Sequence, residues 1–319
     1  VDRLDGVARH EGDAAARPQL SGPSGEPDHL PRHLWWVLAA LTFAWGFNWT
    51  ALKVALSEVP PWTFRSLCLG LGSAVLFAAL RAGGQPLAVP KGQWGRLWLL
   101  AFLNITCWNM LIAFGVALIP SGRASVLAYT MPIWAIPLSV WLLGERITPR
   151  RIAGLGLGTV ALVLLMGESL RGLGAAPAGS LMVLGAALTW ALGTVLQKRL
   201  PVRMPLGAYT AWMMLLGGVP IFIGTALLED VRVLREVSLA PALGVAYNVF
   251  VSFAFAHWAW IKLATSVPVG VFSVAMLIIP VIGVLSGVVF LGERPRWTEV
   301  AALFCVLGAL TTVIRRRPS

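Results

Sequence analysis

Residues 120–146 read PSGRASVLAYTMPIWAIPLSVWLLGER, and residues 268–294 read PVGVFSVAMLIIPVIGVLSGVVFLGER. At a constant offset of 148, Pro120, Gly122, Ser125, Val126, Pro132 and the run Leu143-Gly144-Glu145-Arg146 fall on Pro268, Gly270, Ser273, Val274, Pro280 and Leu291-Gly292-Glu293-Arg294. Earlier in the chain, Leu41-Thr42, Ala44 and Gly46 recur as Leu188-Thr189, Ala191 and Gly193 at an offset of 147, with an aromatic residue, Phe43 or Trp190, in between. One such coincidence is cheap, but a whole set in register marks an internal repeat. Between the first proline and the Leu-Gly-Glu turn, each copy is apolar for long enough to cross the ~30 Å hydrocarbon layer as a helix.

Working outward from this pair, apolar runs bounded by Pro, Gly and charge predict helices at 34–56, 61–80, 95–117, 121–143, 150–167, 180–198, 207–227, 239–263, 267–291 and 297–314. The expected fold is an all-α integral membrane protein of ten transmembrane helices. The two five-helix repeats occupy 34–167 and 180–314, flanked by a disordered or expression-derived tail at 1–33 and a basic tail at 315–319. Five is an odd number, so the second copy enters the membrane from the side opposite to the first, which makes the repeat inverted. Lys and Arg are denser on the side of the termini (Arg81, Lys91, Arg96, Arg146, Arg150, Arg151, Lys198, Arg199 and Arg315 to Arg317) than on the other (Lys53, Arg65, Arg123, Arg294, Arg296 among them). Both termini are therefore expected in the cytoplasm, with the chain in a bacterial-type inner membrane.

Composition agrees. Of 319 residues, 57% are hydrophobic and 12% charged, with a mean hydropathy of +0.77, whereas soluble domains carry about 25% charged residues. The net charge of +11 is spread between apolar runs rather than gathered in a patch, so no nucleic-acid partner is expected. Period-two alternation of a lipid-facing barrel is absent. Cys68, Cys107 and Cys305 lie inside apolar runs as packing residues. No cofactor, metal or disulfide is expected. The expected partners are a small-molecule substrate and the bilayer, with a monomer favoured.

Two five-helix units, each with a proline-bearing fourth helix ending in Leu-Gly-Glu-Arg, resemble the paired EamA repeats of the drug/metabolite transporter superfamily, over about residues 34–314. The aromatic-rich helices are further similar to the YddG-type exporters of aromatic amino acids. The resemblance implies a basket in which helices 1, 3, 4, 6, 8 and 9 line a central cavity and helices 5 and 10 are peripheral. It leaves the substrate open, since amino acids, amines, nucleotide sugars and phosphorylated sugars all occur in the superfamily.

A substrate site in a bundle needs aromatic and polar groups at mid-depth, because polar groups facing lipid are costly. Helix 1 offers Trp45, Asn48 and Trp49 on one face, an amide between two indoles, though packing accounts for them as well. Helix 3 offers Asn104, Trp108 and Asn109, and helix 6 a stripe of Trp190, Thr194 and Gln197. Helix 8 presents two faces, Asn248, Ser252 and Phe255 or Phe250, Phe253 and His257; the second is taken to see the cavity. His257 is a candidate for proton coupling or carboxylate binding, or else a neutral imidazole bonded across helices or a residue near a wet helix end. Tyr129, Met131, Ser273 and Met276 complete the candidate lining, and Pro132, Pro137 and Pro280 are candidate hinges. Glu145 and Glu293 are expected to be structural, pairing with Arg or capping the next helix, rather than catalytic carboxylates. Gly154 and Gly158 form a small-residue pair for helix contact within the chain.

The leading functional expectation is a transporter, not an enzyme, exporting neutral and chiefly aromatic amino acids by alternating access. A phosphate substrate calls for clustered cations, and Arg65, Arg123 and Lys262 lie near span ends where they are expected to snorkel. A multidrug cation exporter calls for a membrane-embedded acid, which helix 1 lacks. A membrane enzyme on lipid-linked substrates calls for a His, Asp, Glu or Ser cluster near an interface, which is absent from the sequence pattern.

Overall fold

The computed structural model describes residues 31–146, 148–171, 176–267 and 269–314, with 151, 166–171, 176, 264–265, 269–275 and 313–314 as backbone only. Nearly all of the expected tail at 1–33, and the whole of 315–319, lie outside the described residues. Along the described chain run ten helical rods: α1 (Arg32–Ala55), α2 (Pro61–Ala82), α3 (Trp94–Leu118), α4 (Ser121–Leu143), α5 (Pro149–Arg171), α6 (Ala176–Arg199), α7 (Leu206–Leu228), α8 (Leu239–Leu263), α9 (Val269–Leu291) and α10 (Trp297–Ile314). Seven of them, α1 to α4 and α6 to α8, are long and apolar enough to cross a membrane, and shorter apolar stretches occupy Ile152–Leu165, Met276–Leu291 and Trp297–Thr312. No strand occurs among the described residues. The stretch 167–179, expected as a connection, is helical up to Arg171 and again from Ala176.

Large apolar side chains cover the outside. Trp36, Trp141, Leu227, Val289 and Phe304 are among many that stand mostly exposed, a surface that water does not tolerate and lipid accepts. Inside, small residues let backbones approach. Gly46 of α1 seats Ile282 of α9, and Gly217 of α7 seats Ile105 of α3. The expected pair Gly154 and Gly158 meets Thr312 of α10 and Ile133 of α4, so both contacts lie within the chain. The most extensive pairings are α3 with α6, α5 with α10, α1 with α8 and α4 with α6, followed by α2 with α7 and α1 with α9.

Helix ends are held by side chains from elsewhere in the chain. The N-caps of α2 and α4 are Pro60 and Pro120, which have no side-chain acceptor for the free amides of a first turn. Glu229, just past α7, fills that role for α2, accepting from Trp62 N (3.1 Å) and Thr63 N (2.7 Å). Glu293 does so for α4, accepting from Ser121 N (2.6 Å) and Gly122 N (3.0 Å). Glu58 accepts from the amide and hydroxyl of Ser238, both at 2.7 Å, at the start of α8, and these two bonds hold its carboxyl below the usual carboxylate range. Lys53 Nζ donates to the carbonyls of Val116, Ala117 and Ile119 at the end of α3, the placement that a helix dipole favours. Arg123 pairs with Glu299 at 2.7 Å, both nearly buried. Arg123 therefore does not snorkel, contrary to expectation, because a carboxylate at the start of α10 meets it inside.

The Leu-Gly-Glu turns work alike in both halves. Gly144 and Gly292 adopt φ of 66° and 64°, a left-handed conformation that glycine takes without a Cβ clash and that ends the helix. The next amide turns back on α4 or α9, Glu145 N to Ser139 O and Glu293 N to Gly287 O. Glu293 is a helix cap, though of α4 rather than of the expected next helix, α10, and Glu145 Oε1 takes Lys198 Nζ at 3.2 Å.

Two helices widen in the middle. Phe102–Cys107 of α3 and Tyr247–Phe255 of α8 bond as π-helix, from i to i+5. Adding 148 to the first range gives 250–255, which lies within the second, so the widening itself recurs in the repeat's register. Wide turns rotate every later side chain relative to an α-helical phase and are frequent at functional sites.

Candidate functional site

Side chains from α1, α2, α3, α4, α6 and α8 enclose a cavity of about 170 Å³ at the centre of the bundle. Its walls are indoles: Trp45 and Trp49 from α1, Trp108 from α3 and Trp190 from α6, the last two with ring centroids 4.8 Å apart. Asn48 sits between the α1 indoles and also lines the space, its Oδ1 buried without a hydrogen-bond partner among the described residues. Asn109 and Tyr129 line it too, but the Asn109 amide is already committed to Ile105 O of its own helix at 2.9 Å. A larger crevice of about 590 Å³ between the outer faces of α1 and α8 is walled by Phe47, Val251 and Phe290, and its character is that of the lipid-facing surface.

On α8 the cavity wall is Ser252, Phe253 and His257 together. The sequence expectation divided these between two faces on an α-helical phase. In the π segment the i, i+5 pair aligns instead, and His257 Nδ1 donates to Ser252 O at 3.2 Å, which also receives the Trp45 indole N–H at 3.3 Å. The His257 ring stacks on Phe253 (5.4 Å) and meets Trp45 edge to face (6.0 Å). Because a carbonyl only accepts, this geometry puts the imidazole proton on Nδ1. The bond runs within α8 rather than across helices. Phe250, expected in the lining, is 60% exposed on the outside of the bundle, because the widened helix turns it away from the centre.

Four other expected lining residues stand elsewhere, Met276 among them, packed beside the buried cluster of Leu38, Leu41, Ala256 and Ala259. Asn104 is buried against α6, donating Nδ2 to Trp190 O at 3.1 Å over the gap that Gly193 leaves, so it joins helices instead of facing the cavity. Thr194 and Gln197 are exposed, and the Thr194 hydroxyl returns to Trp190 O. One and two turns beyond Trp190, at 1.5 Å per residue, they have passed the rim of the space. The Ser273 side chain lies outside the described residues. Of the candidate hinges, Pro132 follows a break in α4 at Tyr129–Thr130, while Pro137 and Pro280 lie within continuous helix. Two apolar wall residues, Ile105 and Ile112, were not anticipated, being indistinguishable in sequence from the packing around them; Met131 is at the wall as expected.

The largest departure is Arg65. It does not snorkel; it is 3% exposed and lines the cavity from α2, a helix outside the expected lining set. Its guanidinium lies 5.1 Å from the Phe64 ring centroid and 5.9 Å from that of Phe253. Position in the span placed Arg65 near an end, but α7 and the Glu229 cap cover that end, so the side chain turns inward.

The cavity is walled by indoles with few polar groups, inside a bundle with large apolar side chains on its outer surface. The EamA-like transporter family model matches the chain twice, at residues 33–167 and 177–315. The uncharacterized transporter YoaV of Bacillus subtilis is 26% identical over 86% of this chain and 91% of its own. A probable amino-acid metabolite efflux pump of Escherichia coli is 26% identical over 81% and 87%. The aromatic amino acid exporter YddG of Ancylobacter novellus is 30% identical over 49% of this chain and 56% of its own. One solved crystal structure superposes on 89% of the chain, and on 97% of its own length, with a TM-score of 0.62 at 22% identity, a likeness of fold. With a family match across both halves and helices that only a bilayer accommodates, this chain is a multi-pass membrane protein that belongs to the EamA-like transporter family.

Proposed function

We propose that this transporter moves neutral amino acids, chiefly aromatic ones, across a bacterial-type inner membrane in the direction of export, by alternating access around the indole-walled cavity. The observation that carries the reading is the convergence of Trp45, Trp49, Trp108 and Trp190 on one enclosed space beside Asn48. Ring faces stack on an aromatic solute, and an amide with a free acceptor orients its polar end. The names of the amino-acid efflux pumps and the aromatic amino acid exporter among its relatives support the same class.

The two halves act as an inverted pair of five helices. Support comes from the double family match, the matching Leu-Gly-Glu turns and the matching wide turns in α3 and α8. In that arrangement the termini face the cytoplasm, and the ends clasped by Lys53, Glu58, Glu229, Glu293 and Glu299 share the opposite face. The packing of α9 on the first turns of α4, under the Glu293 cap, is then a closed gate on that face, with α4 bending at Tyr129–Thr130. The test is uptake of labelled phenylalanine, tryptophan and threonine into proteoliposomes, with and without a pH gradient. Saturable aromatic flux, at least about tenfold lower in Trp45→Ala, is the expected result. Flux no greater than in empty liposomes would remove the assignment.

A further inference from the structure

Three charged or polar groups at the cavity do not account for one another, and their arrangement names the two ends of a ligand. Arg65 is almost wholly buried, its Nε has no hydrogen-bond partner, and no carboxylate pairs with it among the described residues. A buried cation without a partner is costly, and such groups in membrane proteins face a cavity that something else completes. The Phe64 and Phe253 rings hold the guanidinium in place but carry no net charge. In the same cavity Asn48 Oδ1 is a buried acceptor without a donor, and Ser252 Oγ is likewise unpartnered. No Asp or Glu is among the lining residues.

Building on the amino-acid reading above, we propose that Arg65 binds the carboxylate and Asn48 Oδ1 the ammonium group of a zwitterionic α-amino acid, with its side chain among the indoles. One guanidinium offers a fork that matches one carboxylate. The lining has no Lys or second Arg to compensate a phosphate dianion, and no acid to compensate an amine without a carboxylate. The repeat supports a directional role: at offsets of 147 and 148 the second half carries Trp212 and Met213, so the cation belongs to one half only. A substrate with two unlike ends is thereby held in one orientation by a bundle whose halves are otherwise alike.

The test uses the full chain in nanodiscs and proteoliposomes with three probes of one shape: L-tryptophan, tryptamine, which lacks the carboxylate, and indole-3-propionate, which lacks the ammonium group. Tryptophan counterflow is expected to be inhibited by indole-3-propionate and hardly by tryptamine. Arg65→Met is expected to raise the KM for tryptophan by about tenfold or more and to abolish inhibition by indole-3-propionate, while Arg65→Lys keeps the carboxylate preference at weaker affinity. Asn48→Leu is expected to weaken tryptophan and leave indole-3-propionate unchanged. Tryptamine inhibiting as well as tryptophan, or an unchanged KM in a folded Arg65→Met protein, would overturn the proposal even with aromatic transport intact. Should the wild type move no amino acid, the transport reading fails by itself, and thermal shifts then decide the site. A rise in melting temperature with indole-3-propionate that is lost in Arg65→Met sustains it; a rise with tryptamine instead, or with neither, sinks it.

Discussion

Replacing Glu293 by Gln removes the negative charge from the start of α4 while keeping shape and volume. The carboxylate now accepts two amides, Ser121 N at 2.6 Å and Gly122 N at 3.0 Å, and hydrogen bonds to a charged group contribute about 1.5–3 kcal/mol each. Glutamine keeps one acceptor, turns its NH2 toward the other amide and forfeits the dipole contribution of about 0.3–1 kcal/mol. The expected loss is about 2–4 kcal/mol, on the order of thirtyfold to several hundredfold in an equilibrium constant. If the bonds exist only while α4 rests on α9, that whole factor falls on the balance between closed and open gate. The residues at hand for a readout are Ala117 and Arg294, both exposed near this gate. In a background without Cys68, Cys107 and Cys305, spin labels at 117 and 294 should show one dominant distance in the parent and a substantial second population in Glu293→Gln. A lowered melting temperature with an unchanged distance distribution would show the cap to be static, and would remove the gate from the mechanism.

Elsewhere, Arg123→Met should destabilise the detergent-solubilised protein by about 3–5 kcal/mol, by leaving Glu299 charged and unpaired, and adding Glu299→Leu should recover most of it in thermal unfolding. A double variant no better than the single one would refute the pairing argument. Gly193→Ala puts a methyl group onto the Asn104 amide and should break its bond to Trp190 O, lowering stability by about 1–3 kcal/mol, whereas Gly193→Ala combined with Asn104→Ala should suffer less. Phe250→Ala should leave transport kinetics at wild-type values, since its ring faces outward; a rise in KM would return it to the site. Glu58 bears on pH. Its carboxyl is lowered by the two Ser238 bonds, so its contribution is present above the ordinary carboxylate range and disappears as pH falls through the lowered value. Glu58→Gln should therefore melt below wild type at neutral pH, and the two should converge on acidification.

How much of this was legible in the sequence follows from what each inference depended on. Helix positions depended on lipid as solvent, which forces long apolar runs whatever the tertiary packing, and the helices lie close to where the runs placed them. The indoles of α1, α3 and α6 were legible because aromatic and amide groups at helical spacing in a lipid-bound segment leave few other roles. At a constant 100° per residue Ser252 and His257 fall on different faces of helix 8, and no residue type in Tyr247–Phe255 announces the i to i+5 turn that brings them together. Its repeat partner in α3 could have raised the question only once one of the two was seen.

Arg65 was misplaced for a different reason. Closeness to a span end lets a cation snorkel only where that end lies open to headgroups, and another chain segment covers this one. The covering carboxylate, Glu229, is 164 positions away in a loop after α7, and its role exists only because Pro60 cannot cap α2 itself. Pro60 leaves the first turn of α2 to be capped by Glu229, and Arg65 lines the cavity one turn further along. Glu229→Gln should then act at a distance: by loosening the start of α2 it should raise the KM of the carboxylate-bearing probe more than it lowers maximal flux, with no contact of its own to the solute. Equal loss in both parameters, or none, would separate the cap from the position of Arg65 and leave the inward turn of that side chain to the packing of Phe64 and Phe253 alone.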